Sequence, residues 1–194
     1  MALIKSVVLL LWLLTLLFVA LLFTPASYGS SHAIAGKKQI LLLDKQGQEH
    51  FIGVVHFKAQ DGSSHYQLKL DHHHFVDYFL SMKEMKCLEG PELWCHLPYP
   101  YQQPRTVTQD DLSWLSHDLL FMFKRKNTFG ANFWNGIYYD LKVENGVIVG
   151  EAQAVDLNLL ASPPEDLNQP VMAEAERDEI EREQRWLPDL IIRD

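Results

Sequence analysis

The stretch that decides the fold is residues 136–155, which reads GIYYDLKVENGVIVGEAQAV. Its first half alternates, with four apolar side chains on one face of an extended chain: Ile137, Tyr139, Leu141 and Val143. Strict alternation is typical of a half-buried β-strand. Asn145-Gly146 follows, and Asn-Gly between two such segments is the strongest short signal for a β-hairpin. The sequence therefore predicts two antiparallel strands, near 137–143 and 147–155, joined by a two-residue turn.

A second hairpin is predicted nearer the N-terminus. Residues 50–59 and 65–71 both alternate, and Asp61-Gly62-Ser63-Ser64 between them is rich in turn residues. On the first strand, one face is strongly apolar: Phe51, Gly53, Val55, Phe57 and Ala59. A short apolar run at 39–44 and a last segment at 187–192 are further candidates for strands.

Helical signals are fewer. Thr108-x-x-Asp111 resembles a capping box that opens a helix, and residues 171–186 carry Asp178→Arg182 and Glu181→Arg185 at i,i+4. Residues 75–85 fit a helix or a strand equally well. Five or more strands with two or three peripheral helices predict an α+β, β-rich fold, built as a mostly antiparallel sheet or a small barrel-like domain.

The N-terminus predicts export. Lys5 precedes 17 residues, 7–23, of which only Thr15 is polar, and a small, polar segment follows up to Ala33. The apolar run is longer than a usual signal-peptide core of about 7–15 residues and shorter than a spanning helix of about 20. Residues 1–33 are therefore a cleaved signal peptide or an uncleaved membrane anchor. Either form places the rest outside the cytoplasm, in the periplasm or at the cell surface, with inner-membrane anchoring if the segment is retained.

The remaining chain divides by composition into a β-rich domain at 34–164 and an acidic tail at 165–194, expected to pack on the domain as a helix. Without Lys5, the exported part has 16 basic and 25 acidic side chains, a net charge of −9. This balance disfavours nucleic acid and anionic lipid as partners, because both need a basic surface.

The two cysteines, Cys87 and Cys95, are predicted to form a structural disulfide, because an isolated pair in an oxidising compartment is usually bridged. Gly90-Pro91 supplies the turn between them. The short closed loop is worth roughly 2–3 kcal/mol. We expect a Cα–Cα separation of about 4.4–6.8 Å.

The histidine run at Asp71-His72-His73-His74 is a candidate metal site. In a strand, His72 and His74 point the same way and are expected to share a Zn or Cu ion, with Asp71 or Asp77 adding an oxygen ligand. In a helix, His73 and Asp77 are neighbours at i,i+4 instead. The alternative interpretation is a solvated turn at a strand end.

Aromatic side chains are concentrated in two irregular segments, 87–101 and 128–139, which we expect at one end of the sheet. Rigid amphipathic rings beside Pro and Gly form good binding surfaces. The candidate ligand-binding residues are Trp94, His96, Tyr99, Tyr101, Trp134, Asn135 and Tyr138. The alternative is that these rings close the core.

Catalytic signatures such as a Gly-x-Ser-x-Gly elbow or a phosphate-binding glycine loop are missing. Ser116-His117-Asp118 contains the residue types of a triad, but side chains of sequence neighbours diverge and do not line up. The predicted function is a non-enzymatic binding module for a small ligand or an envelope partner, without a cofactor. The alternative is a metal-binding protein or metal-dependent hydrolase that uses the histidine run.

A fusion tests the export prediction. Residues 1–36 joined to a reporter that is active only outside the cytoplasm should give activity. Sequencing the N-terminus of the mature protein then separates the two forms, since an intact Met1 selects the anchor and a new start near Ser27 or Ile34 selects cleavage. An inactive reporter contradicts export.

Overall fold

A computed structural model describes residues 33–80 and 84–194, so the predicted export segment lies outside the described residues. Strands dominate. They are β1 Gly36–Leu43, β2 Glu49–Gln60, β3 Ser63–Leu70, β4 Val76–Phe79, β5 Glu84–Glu89, β6 Leu93–His96, β7 Thr106–Val107, β8 Phe121–Lys124, β9 Gly136–Glu144, β10 Val147–Val155, β11 Arg177–Glu179 and β12 Asp189–Arg193.

These strands form one open antiparallel sheet in the order β4-β5-β6-β8-β9-β10-β12-β1-β2-β3-β7, with β11 added beside β10. The order consists of two meanders, β4 to β10 and β1 to β3, and the C-terminal strand β12 lies between them. The prediction of a β-rich, antiparallel fold is confirmed. Of the two forms that the sequence allowed, the open sheet is the one observed.

Both predicted hairpins are present. Strands β9 and β10 pair from Glu144↔Val147 to Gly136↔Val155, and the turn residues Asn145 and Gly146 have φ of 51° and 81°. Positive φ at both positions is the requirement of a type I′ turn, which matches the twist of the flanking strands. Strands β2 and β3 pair in the same way around Asp61-Gly62.

One strand departs from strict alternation. The register between β1 and β2 shifts at Ile40/Leu41, where Gly53 pairs with Ile40 and Phe51 with Leu41. A bulge of this kind adds one residue to β2 and changes which face the next residues occupy. Ile52 is therefore fully buried. Ala59, predicted on the same apolar face as Val55 and Phe57, is exposed near the end of β2.

Helices are few. The described residues contain one α-helix, α1 Ser113–Asp118, and short 3₁₀ turns at His72–His74, Leu157–Ala161, Glu174–Glu176 and Arg182–Gln184. The Thr108 hydroxyl accepts a hydrogen bond from the Asp111 amide at 3.0 Å, so this motif caps the turn before α1 and not the helix itself. Across the described residues, we find no helix with the length and apolar character needed to cross a membrane.

The predicted helix over residues 171–186 is wrong. This segment contains two 3₁₀ turns and strand β11, which pairs with β10. The i,i+4 pairs that favoured a helix contribute only a few tenths of a kcal/mol each. The arginines instead bind distant carboxylates: Arg177 binds Asp140, Arg182 binds Asp189 and Arg185 binds Glu92. The tail is thus part of the sheet and does not lie over it as a helix.

The predicted disulfide is confirmed. Cys87 and Cys95 are directly opposite each other on β5 and β6 and are bridged. Their Cα atoms are 3.8 Å apart, closer than the range we predicted from the sequence. Gly90-Pro91 lies in the connection between the two strands, as predicted.

A substitution in the β9–β10 turn tests the hairpin. Gly146 has open space around the position of a Cβ atom, so Gly146→Val carries only the cost of a β-branched residue at positive φ. We expect a loss of about 1 kcal/mol or more in unfolding free energy, measured by urea denaturation. Gly146→Asn is the control, because Asn tolerates this conformation. Equal stability of wild type and the Val variant contradicts the I′ assignment.

Candidate functional site

The predicted binding residues separate into a buried group and a surface group. Trp94, Tyr99 and Tyr138 are buried, with exposed fractions of 0%, 8% and 2%. Trp134, in contrast, is 71% exposed. The structure places these three side chains in the core, so they present little or no surface to a ligand.

Trp94 is held by a short chain of buried hydrogen bonds. Its indole Nε1–H donates to the Tyr139 hydroxyl oxygen at 3.2 Å, and that hydroxyl donates to the Leu187 carbonyl at 2.8 Å. This chain connects β6, β9 and the segment before β12. Burial raises the pKa of Tyr139, so its hydroxyl stays protonated and remains a donor.

Tyr99 and Tyr138 enclose a buried histidine. The rings of both tyrosines are 5.4 Å from the His117 ring. His117 Nδ1 lies 2.7 Å from the Ser113 carbonyl, and the Met172 amide donates to Nε2 at 3.1 Å. These partners fix a neutral tautomer, with the proton on Nδ1. Burial lowers the pKa of His117, in agreement with that state.

The surface residues occupy a turn before β9. The Asn132 side-chain oxygen accepts from the Trp134 amide at 3.2 Å, and the Asn135 carbonyl accepts from the Phe123 amide at 3.0 Å. Asn135 is therefore attached to β8. Tyr101 is half-buried and lies in the proline-rich segment, residues 97–104. Its hydroxyl donates to the Leu160 carbonyl at 2.6 Å, which attaches this segment to the Leu157–Ala161 turn.

The two aromatic segments do come together, and they form a groove. One cavity of about 290 Å³ lies between β5 and the start of the proline-rich segment, and a second of about 270 Å³ continues from it. Leu97, Pro98 and Phe133 line both cavities. The first is also lined by His72, Glu84, Met85, Lys86 and His96, and the second by Pro100, Leu157, Asn158, Leu160 and Ala161. We call this continuous surface the Phe133 groove.

Of the predicted ligand-binding residues, His96 is the one that lines this groove. Its Nε2 lies 2.9 Å from the Asp118 carbonyl oxygen, so Nε2 carries the proton and Nδ1 the lone pair. Burial lowers the pKa of His96 to about 4, and the hydrogen bond to Asp118 offsets only part of that effect. The ring is therefore neutral near pH 7 and is left with one acceptor.

The apolar residues that form the wall of the Phe133 groove were not predicted from the sequence. Met85, Leu97, Pro98 and Phe133 were not chosen as site residues, although the last three lie within or beside the two aromatic segments. The available signal was position: Leu97-Pro98 directly follows His96, and Phe133 directly precedes Trp134. The prediction favoured Trp94 and Trp134 instead, because their rings are larger.

The charged groups at the groove are partly neutralised. Lys86 forms an ion pair with Asp77 across β4 and β5, and hydrogen bonding to Lys86 is the main reason that the pKa of Asp77 is lowered. Glu84 and His72 are exposed on the same side of the groove. The groove thus has an apolar centre and a polar end.

The histidine run forms a 3₁₀ turn and not a strand, so His72 and His74 do not share a face in the predicted way. Asp71 caps this turn, accepting from the His73 amide at 3.2 Å. His74 Nε2 lies 3.6 Å from an Asp71 carboxylate oxygen. Within residues 33–80 and 84–194, no three His, Cys, Asp or Glu side chains are placed to share a metal ion.

A further cavity of about 500 Å³ lies beside this turn and the paired ends of β2 and β3, and is lined in part by Asp71, His72 and His73. Its other lining residues are Phe51, Gly53, Val54, Lys69 and Leu70. It meets the Phe133 groove at His72.

The triad-type residues have separate partners. Asp118 accepts hydrogen bonds from the Tyr66 hydroxyl at 2.9 Å and from the Gln103 amide at 2.6 Å. Burial raises the pKa of Asp118, and these two bonds oppose the rise. His117 is engaged with Ser113 and Met172, as described above. This is a structural network, in agreement with the sequence analysis.

Comparison with known proteins gives no relative from which to transfer a function. No protein-family model matches the chain, no curated protein matches it, and no solved structure matches it.

Two tryptophan variants separate core from surface. Trp94→Ala should lower the unfolding free energy by about 3–5 kcal/mol, because it opens a cavity and leaves Tyr139 without a donor. Trp134→Ala, at an exposed position, should change it by about 0.5 kcal/mol or less. Urea denaturation of both variants measures the difference, and similar losses contradict the assignment of Trp94 to the core.

Acid should destabilise the protein through its buried histidines. A histidine with a lowered folded pKa stabilises fully above its unfolded value of 6.5 and loses that contribution as the pH falls. For His96, with a folded pKa of about 4, the loss develops between pH 6.5 and about 4 and reaches up to about 3 kcal/mol. His96→Gln should flatten this part of the stability–pH curve. An unchanged curve contradicts a neutral His96.

Proposed function

We propose that this protein is a non-enzymatic, extracytoplasmic binding module that takes a small, largely apolar ligand in the Phe133 groove. The observation that carries the proposal is the continuity of the two cavities along one wall, formed by Leu97, Pro98 and Phe133. Together they offer a volume in the range of small-ligand sites, which are typically apolar with a few placed polar groups.

Hydrogen bonds to neighbouring segments hold the wall in place, which favours a preformed groove. The Leu157 amide donates to the Phe133 carbonyl at 2.9 Å, so the turn at Leu157–Ala161 is attached to the segment that carries Phe133. Tyr101 attaches the proline-rich side to the same turn. Prolines at positions 98 and 100 further restrict that segment. A wall held in this way loses little conformational entropy on binding.

His96 supplies the polar selectivity of the proposed site. With Nε2–H donated to Asp118, the ring offers an acceptor at Nδ1 and is uncharged near pH 7. A ligand with a hydroxyl or amide donor at one end of an apolar body complements that arrangement. A carboxylate does not, since it also presents only acceptors.

Binding is favoured over catalysis by the state of the polar residues. His117 and Asp118 are engaged with other groups of the fold, and Nε2 of His96 donates to the Asp118 carbonyl, which leaves only Nδ1 of His96 open. Among the described residues that line the two cavities of the groove, none carries a hydroxyl nucleophile. The metal-dependent alternative gains no geometric support, because a third ligand does not join Asp71 and His74 among the described residues.

Cyclohexanol, an apolar ring with one hydroxyl, tests the groove in the full chain reconstituted in phospholipid nanodiscs. Methionine-methyl NMR is the readout, since Met85 lines the first cavity and Met172 is buried outside the groove. We expect the Met85 signal to shift saturably while the Met172 signal stays fixed. Phe133→Ala should weaken binding by about tenfold, equivalent to roughly 1.4 kcal/mol.

Phe129→Ala is the matched control, because it removes the same ring from a fully exposed position outside the groove. It should leave the affinity unchanged. A Met85 signal that does not respond to cyclohexanol, or equal affinities of the two phenylalanine variants, contradicts the proposed site.

A further inference from the structure

We infer that the protein contacts an anionic lipid surface through the tip of the β8–β9 loop and the adjoining end of β4. We call this region the aromatic tip. It consists of Phe79, Phe129 and Trp134 together with Arg125 and Lys126. The inference is independent of the Phe133 groove.

The aromatic tip differs from the rest of the described surface in the exposure of its large apolar side chains. Phe129 is fully exposed, Phe79 is 78% exposed and Trp134 is 71% exposed. They are the three most exposed large apolar side chains of the described residues. Single exposed rings are ordinary, but several in one place mark an interaction site.

The three rings belong to one end of the molecule. A Cβ atom at Gly130 would lie 3.7 Å from the carbonyl oxygen of Leu80, so the residue after Phe129 packs beside the residue after Phe79. Trp134 lies four residues after Gly130, in the turn that leads into β9. The rings therefore come from adjacent segments, although 50 residues separate Phe79 from Phe129 in sequence.

Charge at the aromatic tip is opposite in sign to that of the chain. The chain has a net charge of −8, but residues 119–139 contain three basic residues and no acidic one. Lys124 is buried and donates to Thr128, whereas Arg125 and Lys126 are exposed and have no ion-pair partner among the described residues. Two acidic residues lie near Phe79: Asp77 is paired with Lys86, and the exposed Glu84 is opposite Phe79 on β5.

This combination specifies the kind of partner. Exposed Trp and Phe next to unpaired Arg and Lys are the composition of interfacial membrane contacts, in which rings enter the headgroup region and cations meet anionic headgroups. The net negative charge of the whole chain disfavours anionic lipid as a partner, but this charge is not evenly distributed over the sequence. At the aromatic tip, the two unpaired cations give a local complement to an anionic surface.

Two single-cysteine probes test this contact in the full chain reconstituted into vesicles. Because the two native cysteines are bridged, an introduced cysteine is labelled selectively with the environment-sensitive dye NBD. Phe129→Cys places the dye at the aromatic tip. Glu144→Cys is the control at the far end of β9, roughly 26 Å from the start of that strand. Lipids are phosphatidylcholine alone or with about 30% phosphatidylglycerol.

We expect the dye at 129, in vesicles with phosphatidylglycerol, to shift to the blue, to brighten by about threefold or more, and to be quenched by doxyl-labelled lipid. The dye at 144 should stay in water. Adding Arg125→Glu and Lys126→Glu to the 129 probe should abolish the shift. Equal spectra at 129 and 144, or a shift that the charge reversal does not change, overturns the inference.

Contact with a second copy of the chain is the competing explanation. The same 129 probe in detergent micelles without lipid should give a spectrum that does not depend on protein concentration. A concentration-dependent blue shift in micelles overturns the lipid assignment and makes the aromatic tip a self-association surface.

Discussion

The C-terminal strand β12 is the constraint on which the rest of the structure depends. It pairs antiparallel with β1 on one side and with β10 on the other, so it joins two meanders that otherwise have no shared strand pairing. Leu190 and Ile192 are fully buried and face apolar partners across both ladders, which include Leu42, Ile40 and Ile148. Without β12, each meander would expose a long unpaired edge.

The approach to β12 is fixed by a set of contacts just before it. Arg185 binds Glu92 at 2.7 Å, and Glu92 also accepts from the Trp186 amide at 3.0 Å. Trp186 lies directly over Gly90, where a Cβ atom would come within 2.2 Å of its ring. Together with the bond from Tyr139 to Leu187, these contacts hold the tail against the β5–β6 turn and so against the disulfide-bridged strands. β5 and the residues after β6 also line the Phe133 groove. The tail therefore packs against the same pair of strands that carries one side of the proposed site.

Features encoded by local sequence were predictable. Asn145-Gly146 and Asp61-Gly62 specify hairpins through backbone conformation alone, and the disulfide was predicted from the isolated cysteine pair and the expectation of export. The position of β12 was not predictable, because its partners around residues 40 and 148 are distant in sequence and any apolar strand satisfies the local pattern. The tail helix was predicted from i,i+4 charge pairs, which are weak compared with the carboxylates that the sheet offers to the same arginines. For the proposed site, the two segments and His96 were predicted, but the apolar residues of the groove wall were not. Leu93, Trp94 and Cys95 are all buried, so β6 is covered on both faces and carries no alternation to show which side opens to a groove.

Hydrogen exchange of the β12 amides in the native full chain tests the central role of this strand most directly. A strand bonded on both sides within a sheet opens only when the domain unfolds. The amides of residues 190–192 should therefore exchange as slowly as those of β9 and β10, with a free energy of opening equal to that of global unfolding. Exchange of these amides at the rate of exposed, unprotected chain, while β9 and β10 remain protected, would contradict the account and return the C-terminus to the role of a peripheral tail.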